Sequence, residues 1–222
     1  MRLFLPLLLL LATTAGCATT AASQVGPPEP GHYDSVRLSL ARLRLQVRRG
    51  PGASPCKSLG GGVEACPVLL GPAGVEFVTP AHLDAWEGER PGGPALSEEA
   101  FSLGYLALAA SADDLSVKWL GDATNPKLLG VVTRDSGGDD FAAARLLVLP
   151  EKVEALADDL GLQFLAAIPN QRTLLVLRDE DPKARALAEL VMAEQARLEP
   201  PLAPGTFFQV TPDGIEPRGA RN

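Results

Sequence analysis

Apolar positions with helical spacing stand out first between residues 150 and 161. Val153, Leu156, Ala157 and Leu160 recur at i, i+3, i+4 and i+7, which predicts an amphipathic helix that Pro150 and Glu151 open and Gly161 ends. A second helix is predicted from Asp181 and Pro182, with Leu187, Leu190, Val191 and Leu198 on its apolar side and Pro200 and Pro201 as the stop. Ser97, followed by Glu98 and Glu99 at the positive end of the helix dipole, caps a third that should run to about Ser111. Phe101, Tyr105 and Leu108 would line its inner face, widened by Leu103 and Ala107. Thr79 as N-cap, with Pro80 at the first helical position, starts a shorter helix through Trp86.

Short runs rich in Val and Leu mark the strands. Residues 75–78, 163–168, 173–178 and 206–211 read as strands; Pro169-Asn170-Gln171-Arg172 joins the middle two, and Thr211-Pro212-Asp213-Gly214 turns after the last. Residues 127–133 and 143–149 flank Arg134-Asp135-Ser136-Gly137-Gly138 and are expected to pair as a hairpin. Because residues 146–149 show no polar alternation, the second run is expected to be a central strand covered on both faces. From residue 143 onward the order is strand, helix, strand, strand, helix, strand, compatible with a split βαβ arrangement. The fold class that results is α+β, a mixed or largely antiparallel sheet with helices packed on it. Near the N-terminus, Arg37, Arg42, Arg44, Arg48 and Arg49 alternate with Val36, Leu38, Leu40, Leu43, Leu45 and Val47. That spacing reads as a strand with a wet arginine face and an offset near Leu40 and Ala41, against the competing reading of an anionic lipid or polymer contact.

The first 16 residues follow neither period. Arg2 precedes an apolar run over residues 3–11, and the small residues Ala12, Thr13, Thr14, Ala15 and Gly16 lead directly to Cys17. This is the layout of an export signal, and the run falls short of the roughly 20 apolar residues of a membrane-spanning helix. It resembles a bacterial lipoprotein signal, with Thr14 where Leu is usual, and Cys17 is accordingly the expected lipid attachment site. The expected placement is the cell envelope, membrane-anchored and facing outside the cytoplasm, in the periplasm or at the cell surface. Behind residues 1–16, residues 17–31 form a tether in which Pro27, Pro28 and Pro30 prevent regular hydrogen bonding. Residues 32–74 follow as an N-terminal strand and a Gly/Pro-rich loop, residues 75–217 as the main domain, and residues 218–222 as a tail.

Within the main domain a family resemblance rests on ordered short motifs. They are Phe77-Val78-Thr79 with Leu83 and Trp86, Ser97-Glu98-Glu99-Ala100-Phe101, Gly138-Asp139-Asp140 with Ala144-Arg145-Leu146-Leu147, and Ile168-Pro169-Asn170 with Leu174-Leu175-Val176. In these the chain resembles the YtpQ-like family of uncharacterised bacterial proteins over residues 75–215. It departs after Asn170, where the family pattern has Arg then Asp and this chain has Gln171 and Arg172. The resemblance implies an α+β fold and no reaction.

Composition narrows the chemistry. A chain of 222 residues that is 46% hydrophobic can bury an adequate core, and a formal charge of −7 argues against a nucleic-acid partner. With Cys17 assigned to lipid, Cys56 and Cys66 remain as an even pair, which outside the cytoplasm is usually oxidised. Gly60, Gly61 and Gly62 between them let the ends meet; such a loop contributes roughly 2 to 3 kcal/mol. A zinc site would need four ligands, and the only histidines are His32 and His82. Gly137-Gly138-Asp139-Asp140-Phe141 resembles, over five residues, the metal-binding hairpin of diguanylate cyclases, but the other elements of that site are absent from the sequence. Glu98-Glu99, Asp113-Asp114 and Asp158-Asp159 are neighbours that point apart on a helix, so each reads as a solvated face or a helix start. His82 reads as a surface histidine with no linked acid. No phosphate loop or dinucleotide fingerprint occurs, and no cofactor is implied. The expectation is a non-catalytic binding or interaction domain for an envelope protein or polymer; the alternative is a hydrolase or transferase with a carboxylate site near Asp139 and Asp140.

Overall fold

The computed structural model describes residues 42–50, 55–71, 74–89, 96–112, 115–134 and 141–218. Cys17, His32, Asp139 and Asp140 lie outside them, as do Asp113 and Asp114.

A four-stranded antiparallel sheet comes first. Strands β1 (Leu43–Arg49), β2 (Lys57–Gly60), β3 (Val63–Gly71) and β4 (Gly74–Phe77) pair with β3 at the centre, between β1 and β2, and with β4 also on β3. The alternation in β1 holds for Leu43, Leu45 and Val47, all buried. Its intervening arginines are less wet than their spacing suggests: the Arg48 guanidinium lies 4.9 Å over the Phe77 ring, and its Nε is 3.8 Å from Glu64. Residues 50–74, expected to be a loop, contain the central strand instead. Pro67 is compatible with that position because β2 pairs with residues up to Ala65 and β4 begins pairing at Val68, so its missing N–H falls at the gap between them. The domain boundary expected at residues 74 and 75 falls inside the β3–β4 hairpin.

Helices α1 (Pro80–Glu89) and α2 (Leu96–Ala110) follow, and Trp86 and Ala100 pack with Leu43, Leu69 and Val78 against the small sheet. The larger sheet contains β5 (Leu115–Leu120), β6 (Leu129–Arg134), β7 (Phe164–Asn170), β8 (Thr173–Arg178), β9 (Phe207–Thr211) and β10 (Gly214–Arg218), in the order β10-β9-β7-β8-β6-β5. Every neighbouring pair is antiparallel. The fold is α+β with two antiparallel sheets.

Between β6 and β7 the chain forms a 3-10 helix (Ala142–Val148), a second short one (Pro150–Lys152) and α3 (Val153–Leu160). The run expected to be a central strand is therefore helical, and β6 forms its hairpin with β5 rather than with that run. Periodicity cannot separate a short buried strand from a short buried helix. Here Ala142, Ala143 and Ala144 favour the helix, and burial of every residue in it but Leu147 removes the polar alternation that would have identified it.

The split arrangement occurs twice. Strands β6 and β7 both run antiparallel to β8, which separates them, so β6-α3-β7 is a parallel pair with a strand inserted. With α4 (Pro182–Leu198), β8-α4-β9 repeats the device around β7. Both faces of the central strands are covered as a result. Phe164, Ala166, Ile168, Leu174 and Val176 face the 3-10 helix, α3, α2 and the small sheet's Leu45, Val47, Val63 and Ala65. Leu165, Ala167, Leu175 and Leu177 face α4.

Asp181 caps α4 by accepting from the backbone N–H groups of Lys183 and Ala184. The buried stripe of that helix is centred on Ala184 and Ala188, and the expected apolar side is only partly right: Leu190 is 65% exposed and Leu198 77%. Small side chains let the helix sit close to the sheet, so the alanines rather than the largest apolar residues face inward. No described helix is long and apolar enough to cross a membrane.

Candidate functional site

The cysteine pair is the first constellation the fold assembles. Cys56 precedes β2 and Cys66 lies on β3; the hairpin between them joins the two as a disulfide with S–S 2.14 Å and Cα–Cα 4.2 Å. Gly60 and Gly61 in the turn have φ of 77° and 60°, a conformation that favours glycine. Close approach requires them as well: a Cβ on Gly60 would sit 2.4 Å from Pro217 Cγ and one on Gly61 2.7 Å from Thr206 Cγ2. The turn is thus fixed against β10 and the segment leading into β9. Cys56, Glu64 and Cys66 are a grouping of metal-ligating residue types whose donor atoms lie within 4.8 Å of one another. Bonding of the two sulfurs to each other removes the thiolates that a metal would take.

His82 departs from its expected surface role. Its side chain is 16% exposed, its Nδ1 lies 2.8 Å from Thr79 Oγ1 and accepts from Thr79 N at 3.1 Å, and its Nε2 is 3.5 Å from Glu76 Oε1. The missing acid is Glu76, on β4. A hydroxyl, an imidazole and a carboxylate in line have the composition of a nucleophile-activating relay. Here Nδ1 faces the backbone N–H of Thr79 while His82 N reaches back to Thr79 Oγ1 at 3.4 Å, the reciprocal pattern of a capping box with His in place of Glu or Gln. The signal that could have revealed it is the three-residue spacing of Thr79 and His82.

A wide cleft of about 590 Å³ lies at the end of α3 and β8, lined in part by Gln163, Arg178, Asp179 and Glu180. Of its two acids, Asp179 is engaged. Asp179 accepts from Gln163 Nε2 at 3.2 Å and pairs with Arg218 Nη1 at 3.3 Å. Nearby, Asp159 pairs with Lys127 at 2.5 Å, and its carbonyl accepts from Arg178 Nε. Two further polar contacts join distant segments. Arg145 is buried in the 3-10 helix and reaches the carbonyl and hydroxyl of Ser111, and Tyr105 on α2 donates to Glu151. Burial, then the bond to Glu151 and that carboxylate's charge, push the Tyr105 hydroxyl up to about 12.

A smaller concavity of about 250 Å³ runs beside α4 and exposes a mostly apolar lining, with Pro169, Met192, Ala193, Ala196, Pro201 and Ala203 in its walls beside one charged residue, Glu189. Pro169 comes from the end of β7 and the two later residues from the segment between α4 and β9, so three separate stretches meet there. Alanines at 193 and 196 leave the space that longer side chains on the same helix face would fill. Nothing in the linear sequence marks this groove, because its residues are spread over more than one element. No match to the chain was found among protein-family models, curated proteins or solved structures.

Proposed function

We propose that the chain is an exported lipoprotein, anchored through lipid on Cys17, whose folded domain works by binding a segment of another envelope protein. The observation that carries the binding reading is the apolar groove beside α4. Its lining favours a protein segment over an envelope polysaccharide, whose many hydroxyls would lose water against Met192, Ala193 and Pro201 with only Glu189 among the lining side chains able to accept from them. The Cys56–Cys66 disulfide supports placement outside the reducing cytoplasm, and the apolar run ending at Gly16-Cys17 supports the anchor.

The test uses the full chain in its own membrane with a photo-reactive residue in place of Ala193. The mature N-terminus is first read by mass spectrometry, where a lipid-modified Cys17 is expected and an unmodified later start would refute the anchor. Irradiation should then give one defined adduct that Ala196→Arg abolishes while a reactive residue at the exposed position Glu154 gives none. Adducts that are indifferent to Ala196→Arg would refute the groove as the binding surface.

A further inference from the structure

Cys56, Glu64 and Cys66 are the one grouping of metal-ligating side chains among the described residues, and the geometry of the small sheet explains why they converge. Lys57 pairs with Ala65, so Cys56, one step earlier, stands opposite Cys66. Glu64 lies two residues before Cys66 on β3, and the alternation of a strand puts both side chains on the same face. Donor atoms of all three lie within 4.8 Å of one another. Two thiolates on one tetrahedral zinc, each at about 2.3 Å, sit about 3.8 Å apart, and a carboxylate oxygen sits about 3.5 Å from either. That triangle fits the observed spacing once the sulfurs are no longer bonded to each other.

Arg48 supplies a second observation. It faces Glu64 across the β1–β3 ladder, with its Nε 3.8 Å from Glu64 Oε2, yet its Nε and Nη2 are buried without a hydrogen-bond partner. Two thiolates, one carboxylate and a divalent cation leave one net negative charge, which this guanidinium balances, so the ion is accepted without a stranded charge. Glu64 need not give up Arg48 to serve, because a carboxylate offers about four lone-pair positions.

We propose that opening the Cys56–Cys66 disulfide converts this corner of the small sheet into a site for a divalent cation of the zinc class. Cys56 Sγ, Cys66 Sγ and one Glu64 oxygen are the ligands, and water takes the fourth position. The disulfide is the gate. An external dithiol supplies the two electrons and two protons that turn the S–S bond into two thiols, and leaves as its own disulfide. The thiols then lose two protons to solvent as they bind the metal. Three protein ligands and a water form an open coordination sphere, unlike the closed four-ligand sets of structural zinc. Cys66 is fully buried and Cys56 and Glu64 are half-buried, so the ion enters from their side. This site shares no residue with the groove beside α4 and stands whether or not that groove binds protein.

The test titrates the purified full chain in lipid nanodiscs with Co2+, whose bonds to thiolate sulfur give a near-ultraviolet charge-transfer band. The chain is reduced with a phosphine that is then removed under argon. The reduced chain is expected to bind one Co2+ with that band and to lose it when Zn2+ is added, while the oxidised chain gives none. Zn2+ should also raise the Tm of the reduced chain and leave that of the oxidised chain unchanged. Cys56→Ser should remove most of the band, which excludes Cys17 as its source. Loss of a residue that merely supports a metal ligand costs about 10- to 100-fold in affinity, so Glu64→Gln should weaken Zn2+ binding at least about 100-fold. If that variant fails to fold, Glu64→Asp, which withdraws the oxygens by one methylene, is read in the same way. The proposal is overturned if the reduced chain unfolds or gives no band, or if the oxidised chain gives the same one. It is equally overturned if Cys56→Ser keeps the band or a folded Glu64 variant binds as tightly as the unaltered chain.

Discussion

Reducing the Cys56–Cys66 bond should destabilise the domain without changing its native packing. The two cysteines are 10 residues apart in sequence, and closing a loop of that size removes about 9 cal/mol/K of chain entropy from the unfolded state. At 25 °C this amounts to about 2.7 kcal/mol. Reduction keeps both sulfur atoms, so Cys66, fully buried at 0% exposure, leaves no cavity behind. The loss is therefore expected to arise in the unfolded ensemble alone. For a domain of this size it corresponds to a fall in Tm of about 5 to 11 °C. Scanning calorimetry with and without a phosphine reductant measures it, with alkylation and mass spectrometry verifying the redox state. Near-UV circular dichroism should be unchanged at 25 °C, and the urea m-value should rise because the reduced unfolded chain exposes more surface. A Tm that does not move, or a near-UV signal that disappears on reduction, would refute the reasoning. The first would mean that the link restricts little, the second that native packing depends on it.

Other substitutions probe the remaining elements. In Gly121→Ala the new Cβ would stand 2.0 Å from Asn125 O and 2.6 Å from Pro126 C, both backbone atoms that cannot rotate away, and urea denaturation should record a loss of about 3 kcal/mol. Asp181→Ala removes the acceptor of two helix N-terminal N–H groups and of Asn125 Nδ2, and should cost about 1 kcal/mol in the same assay. Tyr105, with its hydroxyl raised from 10.0 to about 12, contributes stability that is present in full below pH 10 and is lost as pH rises through about 12. Ultraviolet titration should show its late ionisation, and Glu151→Gln should move that transition to lower pH.

Strong local signals were legible and stayed where they were read. Gly161 after the α3 repeat, Asp181-Pro182 at the start of α4 and Thr79-Pro80 at the start of α1 each fix a helix boundary through atoms within a few residues. The strands β7 and β8 were also readable, since runs bounded by a turn need no distant information. Errors arose where tertiary burial overrides local pattern. Within residues 142–148 all but Leu147 are buried, so the apolar stretch at 146–149, without alternation, suits a buried helix as well as a central strand. In β3, Pro67 and the neighbouring glycines read as loop, and only the offset registers of β2 and β4 show why a proline fits a central strand. Strand β5 was missed entirely, although Val117 and Trp119 pack against the core.

The candidate sites were less legible than the fold because their partners are remote in sequence. Asp158-Asp159 looks like a free acidic pair until Lys127, 32 residues earlier, is placed 2.5 Å from Asp159. Asp179 is likewise settled by Gln163 on one side and Arg218 on the last strand. With such groups engaged in holding segments together, the proposed binding rests on shape. Each split crossover supplies a concavity in the same way. On one face α3, between β6 and β7, contributes Ala155 and Leu156 to a small concavity beside β5; on the other, α4, between β8 and β9, contributes Ala193 and Ala196 to the groove beside Pro169. Alanine supports the helix in both places but does not fill the space next to it. Enlarging Ala193 or Ala196 is expected to affect the proposed binding more than stability, whereas enlarging Ala184 or Ala188, which face the sheet at 0% exposure, should do the reverse.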